Sequence, residues 1–270
     1  MTLTTPLHFY SGNNSVPIMD RGLLYAESCF ETLRVVNGAI FAWSAHAERL
    51  ARGLKAFGIT LDDAALSEIH QQALSVGQAE GNDALVRLTV TGGEAPWGLT
   101  VPATRTLSAI VHAKPAEAAP ASAILFSTEW PFPLREKFAK FTADYAEMLK
   151  ALQHCSANPA AEPLFVGKGN ILATATANVL LYRNEQWITP SGMGVLPGVV
   201  RQTLIAQGLV RITDCPEHFL ADCDAIALCN SGFFLREVAM IDGRQLKASE
   251  AIQSLWNAIA DLPGVVSVHP

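Results

Sequence analysis

Apolar residues recur at helical spacing in two stretches near the start of the chain. The first predicts a helix that begins at Ser44, a good N-cap residue, and ends at Gly58; its apolar stripe is Ala47, Leu50, Leu54 and Phe57. The second predicts a helix from Asp62 or Asp63 to Gly77, whose stripe is Leu66, Ile69, Ala73 and Val76. Each helix therefore has one face that must pack against another element.

Shorter apolar segments around these helices predict β-strands. The segments 31–36 and 39–43 flank a Val-Asn-Gly turn, which is a strong signal for a hairpin. Two further strands are predicted at 85–91 and 106–112. A hairpin, two helices and more strands make an α+β domain, which we expect to span residues 1–113.

The segment 114–122 is rich in proline, alanine and serine and has no apolar period, so it predicts an exposed linker between domains. We expect residues 123–270 to form a second, α/β domain. Its predicted strands are 123–127, 163–166, 178–183, 186–189, 208–212 and 225–229, and its predicted helices are 143–154, one that starts at Pro197-Gly198, and 249–260.

Composition narrows the range of ligands and partners. Of the 270 residues, 50% are hydrophobic and 16% are charged, which excludes a disordered chain and a coiled coil. The net charge of -6 disfavours nucleic acids and membranes as partners, so small molecules are the expected ligands. The five cysteines include no C-x-x-C pair, and the sequence starts without a signal-peptide pattern. Both features predict a cytoplasmic protein. The histidines show no metal-ligand spacing, so no metal site is expected.

Two local features carry candidate chemistry. Lys140 stands among aromatic residues, and apolar surroundings would destabilise its ammonium form and free the amine for Schiff-base chemistry. Pro197-Gly198 opens a helix, so the backbone amides of Val199 and Val200 would lie at the positive end of the helix dipole, which accepts phosphate. Taken alone, a surface lysine and an ordinary loop-to-helix junction remain the simpler interpretations. Arg49 adds a possible phosphate cation.

Seven segments, taken in order, form a recognisable set. They are Asp20–Tyr25, Cys29–Arg34, His46–Leu50, Lys140 with Tyr145, Asn178 ahead of Thr189-Pro190, Leu196–Arg201 and Cys229–Ser231. Together they resemble the class IV pyridoxal-phosphate aminotransferases, the fold-type-IV group of branched-chain and D-amino acid aminotransferases and aminodeoxychorismate lyase. The resemblance covers nearly the whole chain. It implies the two-domain α+β architecture of D-amino acid aminotransferase, pyridoxal 5'-phosphate as cofactor, and a homodimer.

The resemblance also implies a role for individual residues. Lys140 would be the Schiff-base lysine, with Lys137 as its rival, and Tyr145 would lie against the ring hydroxyl of the cofactor. The implied phosphate ligands are Arg49, the backbone of Val199 and Val200, and Cys229, Asn230 and Ser231. Tyr25, Arg87 and Trp97 are our candidates for substrate contacts.

One departure from the family concerns Ala173. The family normally has a glutamate five residues before the asparagine that is Asn178 here, and that glutamate holds a proton on the pyridine nitrogen. No acidic residue occurs between Glu162 and Glu185 to replace it. A hydroxyl from Thr174 or Thr176 could support chemistry that needs less electron withdrawal, so we expect elimination rather than transamination. Two glycine-containing turns of the family also differ, as Ala26-Glu27-Ser28 and Gly92-Gly93-Glu94.

Further local resemblance favours a lyase. The segments 98–108, 44–46 and 229–230 look more like bacterial aminodeoxychorismate lyases than like branched-chain enzymes. The sequence therefore predicts a pyridoxal-phosphate-dependent lyase that releases pyruvate from 4-amino-4-deoxychorismate and forms 4-aminobenzoate. Two alternatives stay open: a class IV aminotransferase acting on a small or branched-chain amino acid, and a descendant that keeps the fold but has lost catalysis.

Overall fold

The structure, a computed structural model, describes residues 6–12, 14–102, 104–117, 122–155, 161–247 and 250–265. Its internal contacts group the chain into two units. The first consists of residues 1–116 and 138–145, and the second of residues 117–137 and 146–270. In the described part of the chain, no helix is both long enough and apolar enough to cross a membrane.

The first unit is a five-stranded sheet with helices. Its strands are β1 Leu7–Tyr10, β2 Ser28–Val36, β3 Ala39–Ile40, β4 Asp83–Thr91 and β5 Leu107–Pro115, and its helices are α1 Arg21–Tyr25, α2 Trp43–Lys55 and α3 Asp63–Ala79. The strand order is β1-β5-β4-β2-β3, with β1 parallel to β5 and the other pairs antiparallel. The apolar stripes of α2 and α3 pack in one cluster with Leu33, Leu88 and Val111 of the sheet, which fits the amphipathic patterns.

The predicted hairpin is confirmed, and both turn residues have positive φ, Asn37 at 48° and Gly38 at 79°. Its second strand ends at Ile40 and not at residue 43 as predicted, because Trp43 already begins α2. The helix α2 begins one residue before the predicted Ser44, because the chain leaves β3 through left-handed Ala42 (φ 45°), which caps without a side chain. The helix α3 continues past Gly77 instead of ending there. A Cβ on Gly77 would lie 2.7 Å from Cγ2 of Val35, so this glycine allows close packing rather than helix termination.

The second unit contains a nine-stranded sheet of mixed direction. Its strands are β6 Ser122–Glu129, β7 Glu162–Gly167, β8 Asn170–Thr174, β9 Asn178–Arg183, β10 Gln186–Pro190, β11 Val210–Thr213, β12 Ala225–Asn230, β13 Phe234–Ile241 and β14 Arg244–Gln245. The order is β11-β10-β9-β12-β13-β6-β7-β8, with β14 beside β13. A further pairing of Ala173 with Asn178 joins β8 to β9 and closes part of the sheet on itself.

The helices of the second unit are α4 Tyr145–Cys155, α5 Val199–Ala206, α6 Phe219–Asp222 and α7 Ala251–Ala260. A 3-10 turn, Thr142–Asp144, precedes α4, where the sequence predicted the start of the α-helix itself. The predicted start of the last helix at 249 lies outside the described residues. The strands β1, β8, β13 and β14 and the helices α1 and α6 were not predicted from the sequence. The strand β13 carries the adjacent charged residues Arg236 and Glu237 at its centre, which hide its apolar alternation.

The segment that carries Lys140 packs with the first unit, although we expected it in the second domain. The backbone N–H of Phe30 donates to the carbonyl of Lys140 at 3.0 Å, and Cys29 pairs with Phe141. The short strand β3 pairs with only Val35 and Val36 of β2, so the segment can pair along the edge of β2 at residues 29 and 30. The change from the first unit to the second falls at 116–117, inside the predicted linker, of which residues 118–121 lie outside the described part.

Candidate active site

Lys140 lies at this edge of the first sheet with its amine over an aromatic ring. Its Nζ is 5.2 Å from the ring centre of Phe30. Burial, together with the positive charges of Arg49 and Arg87, lowers the pKa of Lys140 to about 8, although Glu31 acts in the opposite direction. An amine that titrates in this range can act as a nucleophile and can both accept and release a proton.

Phe30 brings three of the predicted site residues together. The guanidinium carbon of Arg87 lies 3.9 Å from the centre of the Phe30 ring, and the ring of Tyr145 stacks on Phe30 at 5.1 Å. Arg87 also donates a hydrogen bond to the Tyr145 hydroxyl at 3.1 Å. Lys140, Arg87 and Tyr145 are therefore neighbours, and Arg87 is a cation suited to a carboxylate. Phe30 itself was not predicted, although it belongs to the segment 29–34 that carried the resemblance.

A buried ion pair lies on α2 and β2. Arg49 donates from Nε to Oε1 of Glu31 at 2.8 Å and from Nη2 to Oε2 at 2.5 Å, and His46 Nδ1 lies 2.7 Å from the same Oε2. Burial would raise the pKa of Glu31, but the hydrogen bonds from Arg49 and His46 and the positive charge of Arg49 outweigh burial and lower it to about 2. Burial lowers the pKa of His46 despite Glu31, so this imidazole stays neutral. The predicted phosphate ligand Arg49 is thus bound to Glu31, a residue that the sequence did not single out.

The Glu31 ion pair leads to a prediction for stability against pH. The folded-state pKa of Glu31 is lowered from 4.5 to about 2, so its contribution is complete above pH 4.5 and is lost as the pH falls towards 2. We expect Glu31→Gln to lower the free energy of unfolding by about 3 kcal/mol at neutral pH, because it leaves Arg49 buried without a counter-charge. Denaturant unfolding at several pH values measures this difference, which should shrink as the pH falls below 4.5.

Glu48 provides the matched control for this prediction. It lies on the same helix but is exposed, so Glu48→Gln should leave the unfolding free energy unchanged within about 0.5 kcal/mol. If Glu31→Gln were as stable as wild type at neutral pH, the ion pair with Arg49 would contribute nothing, and the charges assigned to this cluster would be wrong.

In the second unit, Asn178 and Gly198 shape the start of α5. The Asn178 amide donates to the carbonyl of Leu196 at 2.9 Å, and a Cβ on Gly198 would lie 2.0 Å from its Oδ1. Gly198 is the N-cap residue and provides no side-chain hydrogen bond to the helix. Since the first N–H groups of a helix have no partner within it, the amides of Val199 and Val200 are donors suited to an anion.

This glycine gives a second prediction. Gly198→Ala should lower the free energy of unfolding by about 2 kcal/mol, since its Cβ would displace the Asn178 side chain. The double variant Gly198→Ala/Asn178→Ala removes the clash. We therefore expect it to lose less stability than the sum of the two single variants, as measured by denaturant unfolding. Strict additivity of the two single effects would show that Gly198 and Asn178 do not meet as described.

Arg201 and Cys229 lie behind the start of α5. Arg201 donates to the Thr189 hydroxyl at 3.0 Å and to the Pro190 carbonyl at 2.7 Å, so its buried guanidinium fastens α5 to β10. Burial raises the pKa of the Cys229 thiol to about 12, so this side chain is uncharged at neutral pH. The cysteines whose side chains the structure describes, Cys29, Cys215, Cys223 and Cys229, are all free thiols.

Asn230 joins two loops near the end of β12. Its Oδ1 accepts hydrogen bonds from the amides of Gly232 at 2.8 Å and Phe233 at 3.0 Å, and its amide donates to the Thr176 carbonyl at 3.1 Å. The next residue, Ser231, is buried. The side chain of Asn230 thus fixes the backbone of its own turn and of the turn after β8.

Ala173 lies on β8, directly opposite Asn178. The neighbouring Thr174 hydroxyl accepts hydrogen bonds from the amides of Ala177 at 3.1 Å and Thr176 at 3.4 Å, so it serves the turn between β8 and β9. Thr176 is exposed. The Thr174 hydroxyl, one of the two that the sequence suggested as a substitute for the missing acid, is therefore already engaged in hydrogen bonds within this turn.

The remaining candidates, Tyr25 and Trp97, belong to the first unit. Tyr25 ends α1 and contacts the loop that contains Trp97. The Tyr25 hydroxyl accepts a hydrogen bond from the amide of Gly98 at 2.9 Å, and the Arg21 guanidinium carbon lies 5.0 Å from the centre of the Tyr25 ring. Arg21 also pairs with Glu27 and donates to the Gly98 carbonyl at 3.0 Å. Trp97 is 88% exposed. Glu27, which stands in one of the altered family turns, therefore helps to anchor this loop.

Comparison with known proteins adds a family match. The family model described as amino-transferase class IV matches residues 28–241. A probable branched-chain-amino-acid aminotransferase of Rickettsia felis is 24% identical over 70% of this chain and 67% of its own. An aminodeoxychorismate lyase of Bacillus subtilis is 27% identical over 69% of this chain and 66% of its own, so the match leaves about a third of each relative uncovered.

Solved structures share the fold over almost the full length. A structure from Legionella pneumophila described as a 4-amino-4-deoxychorismate lyase has a TM-score of 0.81 and 24% identity, with 95% of this chain and 99% of that one covered. The 4-amino-4-deoxychorismate lyase of Pseudomonas aeruginosa has a TM-score of 0.78 and 26% identity, with 93% and 96% covered. A structure from Mycobacterium tuberculosis, described as a hypothetical aminotransferase in a PLP-bound form, has a TM-score of 0.76 and 19% identity, with 92% and 93% covered.

Proposed function

Because the chain belongs to the amino-transferase class IV family, we propose that it is a pyridoxal-phosphate-dependent lyase acting on 4-amino-4-deoxychorismate. The products would be pyruvate and 4-aminobenzoate. The family and its two-domain fold make the chain an enzyme with pyridoxal phosphate as cofactor. The single observation that carries the reaction type is Ala173, which stands on β8 where the family has its acid. The likeness to lyases of Bacillus subtilis and Pseudomonas aeruginosa supports the same choice.

The residues present fit pyridoxal phosphate in two respects. The half-buried Lys140 amine, with its pKa lowered to about 8, suits condensation with an aldehyde. The start of α5, which Gly198 leaves without a side-chain cap, suits a phosphate. When bound, the cofactor supplies an electron-accepting ring attached to the amino group of the substrate.

Each site residue has a proposed task. Lys140 accepts and returns the proton, and Arg87 binds a substrate carboxylate beside Phe30. Tyr145, held by Arg87, contacts the ring hydroxyl of the cofactor. We assign the phosphate to the amides of Val199 and Val200 and to the Cys229–Ser231 segment. Arg49 is a further proposed ligand of the phosphate, and Tyr25 and Trp97 contact the substrate.

The missing acid favours elimination over transamination. Alanine at 173 can neither donate nor hold a proton, and the Thr174 hydroxyl is bound within its own turn. Position 173 therefore gives the ring nitrogen no acidic partner, and electron withdrawal is weaker than in relatives that have an acid there. Loss of pyruvate needs less electron withdrawal by the cofactor ring, because the leaving group takes the electron pair of the bond that breaks and the product ring becomes aromatic. The dicarboxylate substrate also matches the cation at Arg87.

The decisive experiment supplies the purified chain and pyridoxal phosphate with 4-amino-4-deoxychorismate. We expect fluorescent 4-aminobenzoate and an equal amount of pyruvate, measured with lactate dehydrogenase. Parallel reactions contain L-leucine or L-valine with 2-oxoglutarate. Faster amino-group transfer than lyase turnover would establish the aminotransferase alternative, and no turnover in either assay would favour the descendant that has lost catalysis.

We also propose, from the resemblance, that the chain forms a homodimer. Sedimentation equilibrium of the purified chain over a range of concentrations tests this. A mass equal to the 28.9 kDa of one chain at all concentrations would contradict it.

A further inference from the structure

Charged and titratable groups surround Lys140 from several elements of the first unit. Glu31 stands on β2, His46 and Arg49 on α2, Arg87 on β4 and Tyr145 at the start of α4. The backbone N–H of Phe30, the neighbour of Glu31 in β2, donates to the Lys140 carbonyl at 3.0 Å, so the Glu31 strand lies directly beside Lys140. Charges on Glu31, Arg49 and Arg87 act on the Lys140 amine, and Glu31 alone among these three is negative. Cys29 stays neutral, since burial and the nearby acids raise its pKa to about 12. Among these charges, only the Glu31 carboxylate favours the protonated form of Lys140, whereas the guanidinium groups of Arg49 and Arg87 favour the neutral form.

The Glu31 carboxylate is held rigidly by three contacts. Both of its oxygens accept from Arg49, and one of them also lies 2.7 Å from His46 Nδ1. Glu31 is 1% exposed and His46 is fully buried. A two-point contact between a guanidinium and a carboxylate fixes the orientation of both groups. Because His46 is neutral, it holds the carboxylate without adding a positive charge near the amine.

We propose that Glu31 is a positioning residue that orients Arg49 and keeps the protonated form of Lys140 accessible near neutral pH. Removal of Glu31 would leave the amine with burial and two positive charges, all of which favour its neutral form. A smaller fraction of Lys140 would then carry a proton at neutral pH, and less of it could return a proton. The inference rests on the proposed function only in the statement that Lys140 transfers a proton. The effect of the neighbouring charges on the titration of Lys140 does not depend on that function.

The test follows the titration of Lys140 in the full chain freed of cofactor. Trace acetylation with acetic anhydride at a series of pH values, followed by mass spectrometry, gives the labelling of Lys140 relative to exposed Lys168. The wild-type midpoint should lie at about pH 8. In Glu31→Gln it should fall by about one unit, which raises the labelling of Lys140 at pH 7 by about fivefold. Glu31→Asp, which keeps the charge, should restore most of the wild-type profile.

Two further variants separate charge from general disturbance. Glu48→Gln removes an exposed carboxylate from the same helix and should leave the midpoint unchanged. Arg49→Gln removes a positive charge and should raise the midpoint, opposite to Glu31→Gln. A purely structural role for Glu31 would not produce shifts of opposite sign.

Each outcome decides the inference. A folded Glu31→Gln variant with an unchanged or higher midpoint would overturn it. If that variant does not fold, Arg49→Gln decides, and a midpoint that fails to rise would overturn it equally. Lyase turnover is measured separately. The predicted shifts without any lyase activity would refute the proposed function and leave this inference standing, whereas turnover without the shifts would do the reverse.

Discussion

Lys140→Ala is expected to lose at least about a thousandfold of the lyase rate while the protein stays folded. Proton transfer by a positioned side chain contributes about 100- to 10,000-fold, and Lys140 also supplies the amine that condenses with the cofactor. Folding should survive because the substitution removes an amine whose charge is costly to bury, as its lowered pKa shows. Initial rates of 4-aminobenzoate formation measure the effect, and circular dichroism and thermal unfolding report the fold.

Lys137 is the matched control for this prediction. It precedes Lys140 by three residues, and its Nζ lies 5.4 Å from the ring centre of Trp130 in the second unit. Lys137→Ala should keep most of the wild-type rate. Borohydride reduction of the holoprotein and peptide mapping give an independent readout, with the label expected on Lys140. A label on Lys137, or a large loss of rate in its variant alone, would mean that the catalytic lysine is assigned wrongly.

The sequence predicted what depends on local patterns. The Asn37-Gly38 hairpin requires two successive positive φ values, which these residues adopt readily, so the turn could be predicted from two letters. The face of α2 that packs inward follows from the spacing of its apolar residues. In the same way, the start of α5 after Gly198 follows from a Pro-Gly turn and the apolar residues behind it.

Partners distant in sequence could not be predicted in this way. The resemblance assigns Arg49 to the phosphate, and this stays a prediction; the acceptor that Arg49 bonds within the fold was not predicted, because a buried arginine bonds to whichever acceptor the fold brings near. That acceptor is Glu31, on a strand whose alternation places it towards α2. The signal existed in the sequence, since Glu31, His46 and Arg49 are polar residues at inward-facing positions. Only the pairing of their elements shows that they meet.

The placement of Lys140 depends in the same way on a nonlocal contact. In the chain it follows β6, and sequence continuity assigns it to the second domain. The short β3 pairs only with Val35 and Val36, near the end of β2. The segment 138–145 pairs with β2 at Cys29 and Phe30 and so joins the first unit. In the β2–β3 register even the predicted strand to Trp43 would reach only Thr32, so the edge of β2 at Cys29 and Phe30 is open to this segment, and only the folded sheet shows that the segment occupies it.

Ala173→Glu is expected to raise the rate of the transamination half-reaction by about tenfold or more. A carboxylate there would favour a proton on the ring nitrogen of the cofactor and strengthen electron withdrawal, and each tenfold in rate corresponds to only about 1.4 kcal/mol. The conversion of bound cofactor to its amine form with L-leucine, followed by absorbance in single-turnover mixing, measures the change. The lyase rate should change less, because elimination depends less on the protonated ring.

Stability provides a second readout for Ala173→Glu and separates the effect from a general disturbance. A glutamate on β8 without a cationic partner is costly to bury, so the variant should be less stable than wild type when the cofactor is absent. Binding of pyridoxal phosphate should restore more stability to it than to wild type, since a ligand that interacts with the new group stabilises the folded state. Thr176→Glu, at an exposed position in the adjacent turn, should show neither effect. If wild type already transaminates as fast as Ala173→Glu, the missing acid does not limit electron withdrawal, and the aminotransferase alternative becomes the better account of this chain.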